Sequence, residues 1–288
     1  MKPAALPFLL DRRRAAAAPD GPPAVLLLHA SASSARQWQG LAQALQPHWR
    51  VLAPDFHGHG ERDAWRSDAP MSLADEAALG AALLAEAGGG FVVGHSYGGA
   101  VALTLASRWP SLVHGLVAYE PVLLRLLMDD AGSRDIVRDA AAIAQGLRAL
   151  LHHDQDERAA RLFVEYWSGP GAWELMPLAR RAAVVMRMPS VLRQYDALVR
   201  EPAPLPQLSR LRLPTLLLSG ERTVRLTRRV AALLREGLPQ AQHEVLPGLD
   251  HMGPVTRPEA FERRVLRFLA RQAAAAAAAA PPRVAAAG

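Results

Sequence analysis

The sequence predicts an α/β protein with a mostly parallel, doubly wound sheet and an all-helical insertion. Short, continuous apolar runs such as VLLL at 25–28 have the pattern of strands that are buried on both faces. Segments with helical spacing alternate with these runs along the first 120 residues, which is typical of a parallel sheet covered by helices. The alternation stops at residue 121 and resumes at residue 208, and only helical patterns occur between them.

Four strands and three helices are predicted in the first 120 residues. Ser72 suits the N-cap of the second helix, because Asp75 and Glu76 follow it in the first turn, where negative charge is favourable. Ser33 can cap the first helix. The strands are predicted over 25–28, 51–53, 91–93 and 112–119, and the helices over 35–46, 72–87 and 98–108.

The segment 121–207 contains large apolar residues at spacings of three and four. Two of its helical pieces, over 180–188 and 190–200, lie on either side of Pro189. An insertion this long at a strand end usually covers a site, so a helical cap is predicted here. After it, strands are predicted over 215–219 and 243–246, and helices over 227–236 and 258–271.

The chain is therefore predicted to have a core in two parts with the cap between them. Residues 273–280 are all alanine and can extend the last helix before the chain ends in a disordered tail. The predicted boundaries are 1–120 for the first part of the core, 121–207 for the cap, 208–272 for the second part of the core and 273–288 for the alanine-rich, disordered tail.

The composition excludes several classes of protein. Of the 288 residues, 50% are hydrophobic and 21% are charged, which suits a packed core. The chain has no cysteine, and this removes disulfides, cysteine nucleophiles and thiolate metal sites. No long run of large apolar residues occurs, and Asp11 and three arginines follow the short apolar N-terminal stretch. No transmembrane segment or secretory signal is therefore predicted, and a cytoplasmic location is expected.

The formal net charge of +6 comes almost entirely from arginine, since Lys2 is the only lysine. The arginines are scattered along the chain and no basic motif with interleaved aromatic residues accompanies them. No nucleic-acid partner is therefore predicted.

The most informative motif is GHSYG, from Gly94 to Gly98. It follows a predicted strand and precedes a predicted helix, which is the context of a G-x-S-x-G nucleophile elbow. The tight turn strains the backbone of Ser96, and the two glycines leave room because they have no Cβ. The serine then stands at a helix N-terminus, where free N–H groups and partial positive charge suit an oxyanion. The alternative is a glycine-rich turn that contains serine by chance.

Four stretches resemble the α/β-hydrolase superfamily, from about Pro23 to Ala270. They are LLLHASASSARQW, APDFHGHGER, VVGHSYGGAVAL and LPGLDHMGPVTRPEAF. The resemblance implies an α/β-hydrolase fold in which the helical insertion is the cap. It implies that Ser96 is the nucleophile and that His251, in the fourth stretch, is the base that takes its proton.

The resemblance also implies an oxyanion hole made by two backbone N–H groups. One belongs to Tyr97, which follows the predicted nucleophile, and the other to Ser31, in the first of the four stretches. Ala30 stands where the family usually has glycine, so this loop departs from the family's pattern.

The acid of the expected triad is the least obvious member. In the resembling family it most often follows the strand that ends here at Gly220, at the position that the uncharged Thr223 occupies. Glu120 is predicted to be the acid instead, because it ends the fourth strand and open α/β sheets place their sites at the carboxyl ends of strands. The alternatives are Glu221 as the acid, or Glu120 as an anchor of the cap hinge. Thr223 is expected to have no role.

Other polar residues near these motifs are predicted to be structural. His95 is expected to pack away from the site, Asp55 to bond nearby backbone N–H groups, and Asp250 to shape a turn. His57 and His59 resemble a metal-binding pair, but no third ligand accompanies them and no metal is predicted. No G-x-G-x-x-G follows the first strand, so no nucleotide cofactor is expected.

The predicted function is a serine hydrolase that acts by acyl transfer on a small, mostly apolar ester, lactone or related carbonyl substrate. One alternative is a lyase or perhydrolase that uses the same Ser96 and His251. Another is a catalytically inactive protein that binds a small ligand, which the uncharged Thr223 favours. A small-molecule partner and no cofactor are expected, while the substrate and the oligomeric state stay open.

Overall fold

The computed structural model describes residues 21–202, 208–238 and 240–279. Within them, six strands form one sheet: β1 (Ala24–Leu28), β2 (Arg50–Leu52), β3 (Gly90–His95), β4 (Val113–Tyr119), β5 (Thr215–Gly220) and β6 (Gln242–Leu246). Their order is β2-β1-β3-β4-β5-β6, and every neighbouring pair is parallel. The predicted α/β fold class is therefore confirmed.

Helices connect the strands, and those between β4 and β5 follow one another without an intervening strand in the described residues. They are α1 (Gln39–Leu45), α2 (Leu73–Glu86), α3 (Tyr97–Arg108), α4 (Leu124–Met128), α5 (Arg134–His152), α6 (Asp156–Ser168), α7 (Ala172–Leu175), α8 (Leu178–Arg200), α9 (Arg225–Gly237), α10 (Gly253–Thr256) and α11 (Pro258–Ala279).

Both faces of the sheet are buried, which explains the continuous apolar strands. Successive side chains of a strand point to opposite faces. In β1, Leu26 and Leu28 join a core cluster with α2, α3 and α9, whereas Val25 and Leu27 join a second cluster with α1 and α11. The sheet is therefore covered on both sides, as in a doubly wound fold.

The helices between β4 and β5 have a small core of their own. Leu147 of α5, Val164 of α6 and Met188 of α8 belong to a third cluster, separate from the two that flank the sheet. The boundaries 121–207 for a cap domain remain a prediction, and residues 203–207 lie outside the described residues.

Two predicted helix boundaries are corrected. Ser33 does not cap the first helix: a 3₁₀ turn over Ala35–Trp38 precedes α1, and the Ala35 N–H donates to Asp55 Oδ1 at 2.7 Å. The predicted break at Pro189 is also wrong, since α8 continues through it. Burial of Met188 and Val191 on either side stabilises the unbroken helix against the roughly 3 kcal/mol that an interior proline costs.

Two other predictions concern helix ends. Ser72 caps α2 as expected, because its hydroxyl accepts from the Asp75 N–H while the Asp75 carboxylate accepts from the Ser72 N–H. Helix α11 continues through the alanine run to Ala279, and residues 280–288 of the predicted tail lie outside the described residues.

In the part of the chain that is described, no helix is both long enough and apolar enough to cross a membrane.

Candidate active site

Ser96 occupies a strained turn between β3 and α3. Its φ is 57° and its ψ is −117°, a conformation that residues with side chains rarely adopt. A Cβ on Gly98 would lie 2.2 Å from the carbonyl oxygen of Leu28, and one on Gly94 would lie 2.4 Å from the carbonyl oxygen of Gly98. Both glycines are therefore required for the strand and the helix to approach this closely.

His251 lies between Ser96 and Glu120. Its Nε2 is 3.0 Å from Ser96 Oγ, and its Nδ1 is 2.7 Å from Glu120 Oε2. None of the three side chains is more than 5% exposed. The structure thus brings together the three residues that the sequence predicts as a triad, although their roles in catalysis remain predictions.

Glu120 follows β4, the neighbour of the strand that carries Ser96. Its backbone is also strained, with a φ of 44°. Burial favours the protonated carboxyl, but hydrogen bonds from His251, from the Thr223 hydroxyl and from the Gly220 N–H favour the carboxylate more. The pKa of Glu120 therefore lies below its ordinary value, and the group is ionised at neutral pH.

The contacts of Thr223 contradict the expectation that this residue has no role. Its hydroxyl donates to Glu120 Oε2 and lies 2.6 Å from the hydroxyl of Thr227. Glu221 is turned elsewhere, since its Oε2 accepts from the Gly248 N–H at 2.7 Å and its side chain is exposed. Of the two residues, the uncharged Thr223 therefore contacts the carboxylate of Glu120, and Glu221 does not.

The loop of His251 is fixed by three contacts. The His95 ring donates from Nε2 to the carbonyl oxygen of His251 at 2.8 Å, and the Tyr119 hydroxyl donates to the carbonyl oxygen of Asp250 at 2.6 Å. The indole of Trp167 on α6 stacks on the imidazole, with ring centroids 4.3 Å apart and 25° between the planes. His95 was expected to pack away from the site. It is fully buried, but it also positions the backbone beside the imidazole.

In the loop after β1, the N–H of Ser31 has no hydrogen-bond partner among the described residues. The N–H groups on either side are both taken, that of Ala30 by Gln37 Oε1 and that of Ala32 by His59 Nε2, each at 3.1 Å. Burial lowers the pKa of His59 to about 4, so the ring is neutral and its Nε2 can accept this bond.

The N–H of Tyr97 belongs to the first turn of α3, where N–H groups have no partner within the helix. Neither this N–H nor that of Ser31 has a hydrogen-bond partner among the residues that the structure describes. Both residues line the same cavity as Ser96. The departure at Ala30 is accommodated, because the positive φ of this loop falls on Ala32, at 57°.

The remaining predicted residues form structural contacts. Asp55 accepts from the N–H groups of Ala35 and Glu61, and Asp250 accepts from the Met252 N–H. Nε2 of His57 lies 2.7 Å from Nη2 of Arg62, and Nδ1 of His59 donates to the carbonyl oxygen of His57. These rings are therefore occupied by hydrogen bonds to the protein.

A family model described as the alpha/beta hydrolase family matches residues 25–264. The matched region includes Ser96, Glu120 and His251. The chain belongs to the alpha/beta hydrolase family. The resemblance carried by the four stretches is thereby confirmed.

Relatives of this alpha/beta hydrolase are named as a lipase and an esterase. Lipase LipV of Mycobacterium tuberculosis is 37% identical over 132 residues, which are 45% of this chain and 48% of the lipase. Pimeloyl-[acyl-carrier protein] methyl ester esterase of Pectobacterium carotovorum is 28% identical over 255 residues, which are 85% of this chain and 93% of the esterase. The match thus spans about half the length of the lipase and nearly all of the esterase.

A solved structure shares the same architecture. The crystal structure of a hydrolase from Pseudomonas aeruginosa PA01 has a TM-score of 0.71 and 25% sequence identity. The similarity covers 87% of this chain and 92% of that chain.

A cavity of about 440 Å³ opens beside Ser96 and His251 in this alpha/beta hydrolase. Its volume is in the range of small-molecule sites. The helices between β4 and β5 supply much of its wall. Large apolar side chains line it, including Leu124, Ile143, Leu147, Phe163, Trp167 and Val184.

Gln37 is a part of the site that the sequence did not indicate. Its Oε1 accepts from the Ala30 N–H, and its Nε2 lies 3.0 Å from Nδ1 of His95, which in turn bonds the backbone of His251. One side chain thus connects the loop of Ser31 with the loop of the imidazole. No local motif marks this residue, because its partners are distant in the chain.

Proposed function

We propose that the protein is a serine hydrolase that cleaves a small, mostly apolar carboxylic ester, lactone or related carbonyl substrate by acyl transfer. The observation that carries the proposal is the position of His251, within hydrogen-bond reach of both Ser96 and Glu120 at the edge of an apolar cavity. The names of the esterase and lipase relatives favour an ester.

In the proposed mechanism, Ser96 Oγ attacks the carbonyl carbon while His251 Nε2 takes the hydroxyl proton. The negative charge on the carbonyl oxygen is stabilised by the N–H groups of Tyr97 and Ser31. His251 then gives its proton to the leaving alcohol, and an acyl-enzyme forms on Ser96. Water, deprotonated by the same imidazole, releases the acid and restores the serine.

Glu120 has two proposed tasks. Its carboxylate holds Nδ1–H, so that Nε2 faces Ser96 as an acceptor, and it stabilises the imidazolium that forms during attack. We further propose that residues 121–207 act as a cap that excludes water and shapes the acyl site, because helices of this segment wall the cavity.

The proposal is tested with a panel of methyl and p-nitrophenyl esters of graded acyl length, run beside Ser96→Ala. We expect turnover of short or medium apolar acyl esters by the wild type, and a loss of at least ~10³-fold in the variant. Equal turnover by both proteins would exclude Ser96 as the nucleophile.

The ligand-binding alternative predicts no turnover of any ester. It loses its supporting observation, because Glu120 lies at the imidazole although Thr223 is uncharged.

A lyase or perhydrolase would use the same residues. Rapid labelling of Ser96, together with no hydrolysis of any ester in the panel, would favour this alternative.

A further inference from the structure

Helix α8 presents one stripe of side chains to the cavity. The residues on this stripe recur every three or four positions, as expected for one face of a helix. Most are apolar or aromatic, but a guanidinium stands in the middle, at Arg187, between Val184 and Val191. The stripe consists of Arg180, Val184, Arg187, Val191, Tyr195 and Leu198.

The guanidinium of Arg187 is half-buried and has no carboxylate partner in the part of the chain that the structure describes. Its Nη1 donates to the carbonyl oxygen of Ala32 at 2.9 Å. Among the described residues it forms no other hydrogen bond and no ion pair. Asp55 attracts it only at longer range, without a hydrogen bond or ion pair between these two described side chains, and both oxygens of that carboxylate accept backbone N–H groups. A charge held against an apolar wall in this way favours an anionic partner.

The charged residues that line the cavity also favour an anionic ligand. Arg36 and Arg180 also line it, while Glu262 is the single carboxylate among its described lining residues. Glu262 lies against Gly40, near the backbone of Leu41, so it belongs to the core side of the cavity. The wall formed by α8 is therefore positive.

We propose that Arg187 binds a carboxylate of the substrate, so that the preferred esters carry a carboxylate a few bonds from the scissile carbonyl. The short separation follows from the contact with Ala32, the residue after Ser31, whose N–H is the proposed oxyanion donor. The remaining N–H groups of the planar guanidinium suit the two oxygens of a carboxylate. The inference rests on the proposed function and names the substrate class of the same site.

The test compares charged esters with neutral esters of the same length. Monomethyl succinate, glutarate and adipate are paired with methyl butanoate, pentanoate and hexanoate. For at least one pair we expect the wild type to prefer the charged ester by ~10-fold or more in kcat/KM, a size ordinary for a charge-assisted hydrogen bond. Arg187→Gln is expected to lower this ratio at least ~10-fold, mainly through KM.

Arg193→Gln is the matched control, because Arg193 is exposed on the same helix and does not line the cavity. It removes the same charge and is expected to keep the wild-type ratio. Arg187→Lys keeps the charge but loses the planar guanidinium that can bond two carboxylate oxygens. Its ratio of kcat/KM values is expected to lie between those of Arg187→Gln and Arg193→Gln. If Arg187→Gln slowed both esters of a pair equally, or if the wild type showed no preference for a charged ester, the proposal would be wrong.

A binding measurement separates this inference from the proposed function. Calorimetric titration of Ser96→Ala with monomethyl adipate, monomethyl glutarate and monomethyl succinate reports carboxylate recognition without turnover. We expect at least one half-ester to bind, and to bind at least ~10-fold more weakly when Arg187→Gln is added. Equal affinities would overturn the assignment of Arg187. Absence of ester turnover with this difference intact would overturn only the hydrolase.

Discussion

The hydroxyl of Thr223 donates to the carboxylate of Glu120, across the ends of the adjacent strands β4 and β5. The same oxygen, Oε2, accepts from Nδ1 of His251. The other oxygen accepts from the Gly220 N–H, so both oxygens of a fully buried carboxylate have partners. Thr223 therefore occupies the position at which the resembling family most often has its acid, and its hydroxyl holds a carboxylate that comes from the neighbouring strand.

We expect Thr223→Val to lower kcat by ~10-fold with little change in KM. The substitution keeps the branched shape but removes a hydrogen bond to a charged group, which is worth about 1.5–3 kcal/mol. Thr223→Ser, which keeps the hydroxyl, should recover most of the rate.

Thr215→Val is the control for this pair. Thr215 is buried at the other end of β5, where its hydroxyl bonds the carbonyl oxygen of Leu213. If Thr215→Val and Thr223→Val reduced kcat equally, a general loss of stability would explain the effect and the positioning role would be wrong.

Glu120→Gln is expected to reduce kcat by at least ~10²-fold, because the amide cannot supply the charge that stabilises the imidazolium. Circular dichroism should show an unchanged fold. Glu221→Gln serves as the matched substitution, since Glu221 is exposed and bonds Gly248 instead. A larger kcat loss in Glu221→Gln than in Glu120→Gln would reverse the assignment of the acid.

The free energy of unfolding should depend on pH through Glu76 of α2. Burial raises the pKa of Glu76 to about 7, and only one of its oxygens has a hydrogen-bond partner in the described residues. An unfolded chain loses this proton near pH ~4.3. The folded chain therefore binds more protons than the unfolded chain between about pH 4.5 and 7, and stability falls as pH rises through that window.

Urea unfolding at pH 5 and pH 8 measures this effect. From pH 5 to pH 8 the free energy of unfolding of the wild type should fall by about 2 kcal/mol more than that of Glu76→Gln, because the glutamine at position 76 does not titrate. Glu86→Gln is the comparison, because Glu86 is exposed on the same helix. A wild-type pH dependence that survives Glu76→Gln unchanged would assign the effect to another group.

Local sequence patterns account for the parts of the fold and site that could be predicted. GHSYG identifies Ser96, because glycine on both sides is a steric requirement of the turn, and the end of a strand identifies Glu120. Thr223, His95 and Gln37 could not be assigned in this way. Each acts through a partner distant in the sequence, and only the order of the strands and loops in space brings them together.

The proline in α8 is the opposite case. A local rule predicts a break at Pro189, but the buried neighbours Met188 and Val191 keep the helix whole. This continuity matters for the site, because it places Arg187 and Gln194 on one rigid helix against the loop of Ser31.

The most direct test is labelling of the purified protein with a fluorophosphonate, followed by mass spectrometry of the modified peptide. A serine activated by a neighbouring imidazole reacts rapidly, whereas an ordinary serine does not. We predict rapid modification of the wild type at Ser96, none at that peptide in Ser96→Ala, and modification at least ~10²-fold slower in His251→Ala. Labelling of His251→Ala at the wild-type rate, or a folded wild type that stays unmodified, would contradict the assignment of Ser96 as an activated nucleophile.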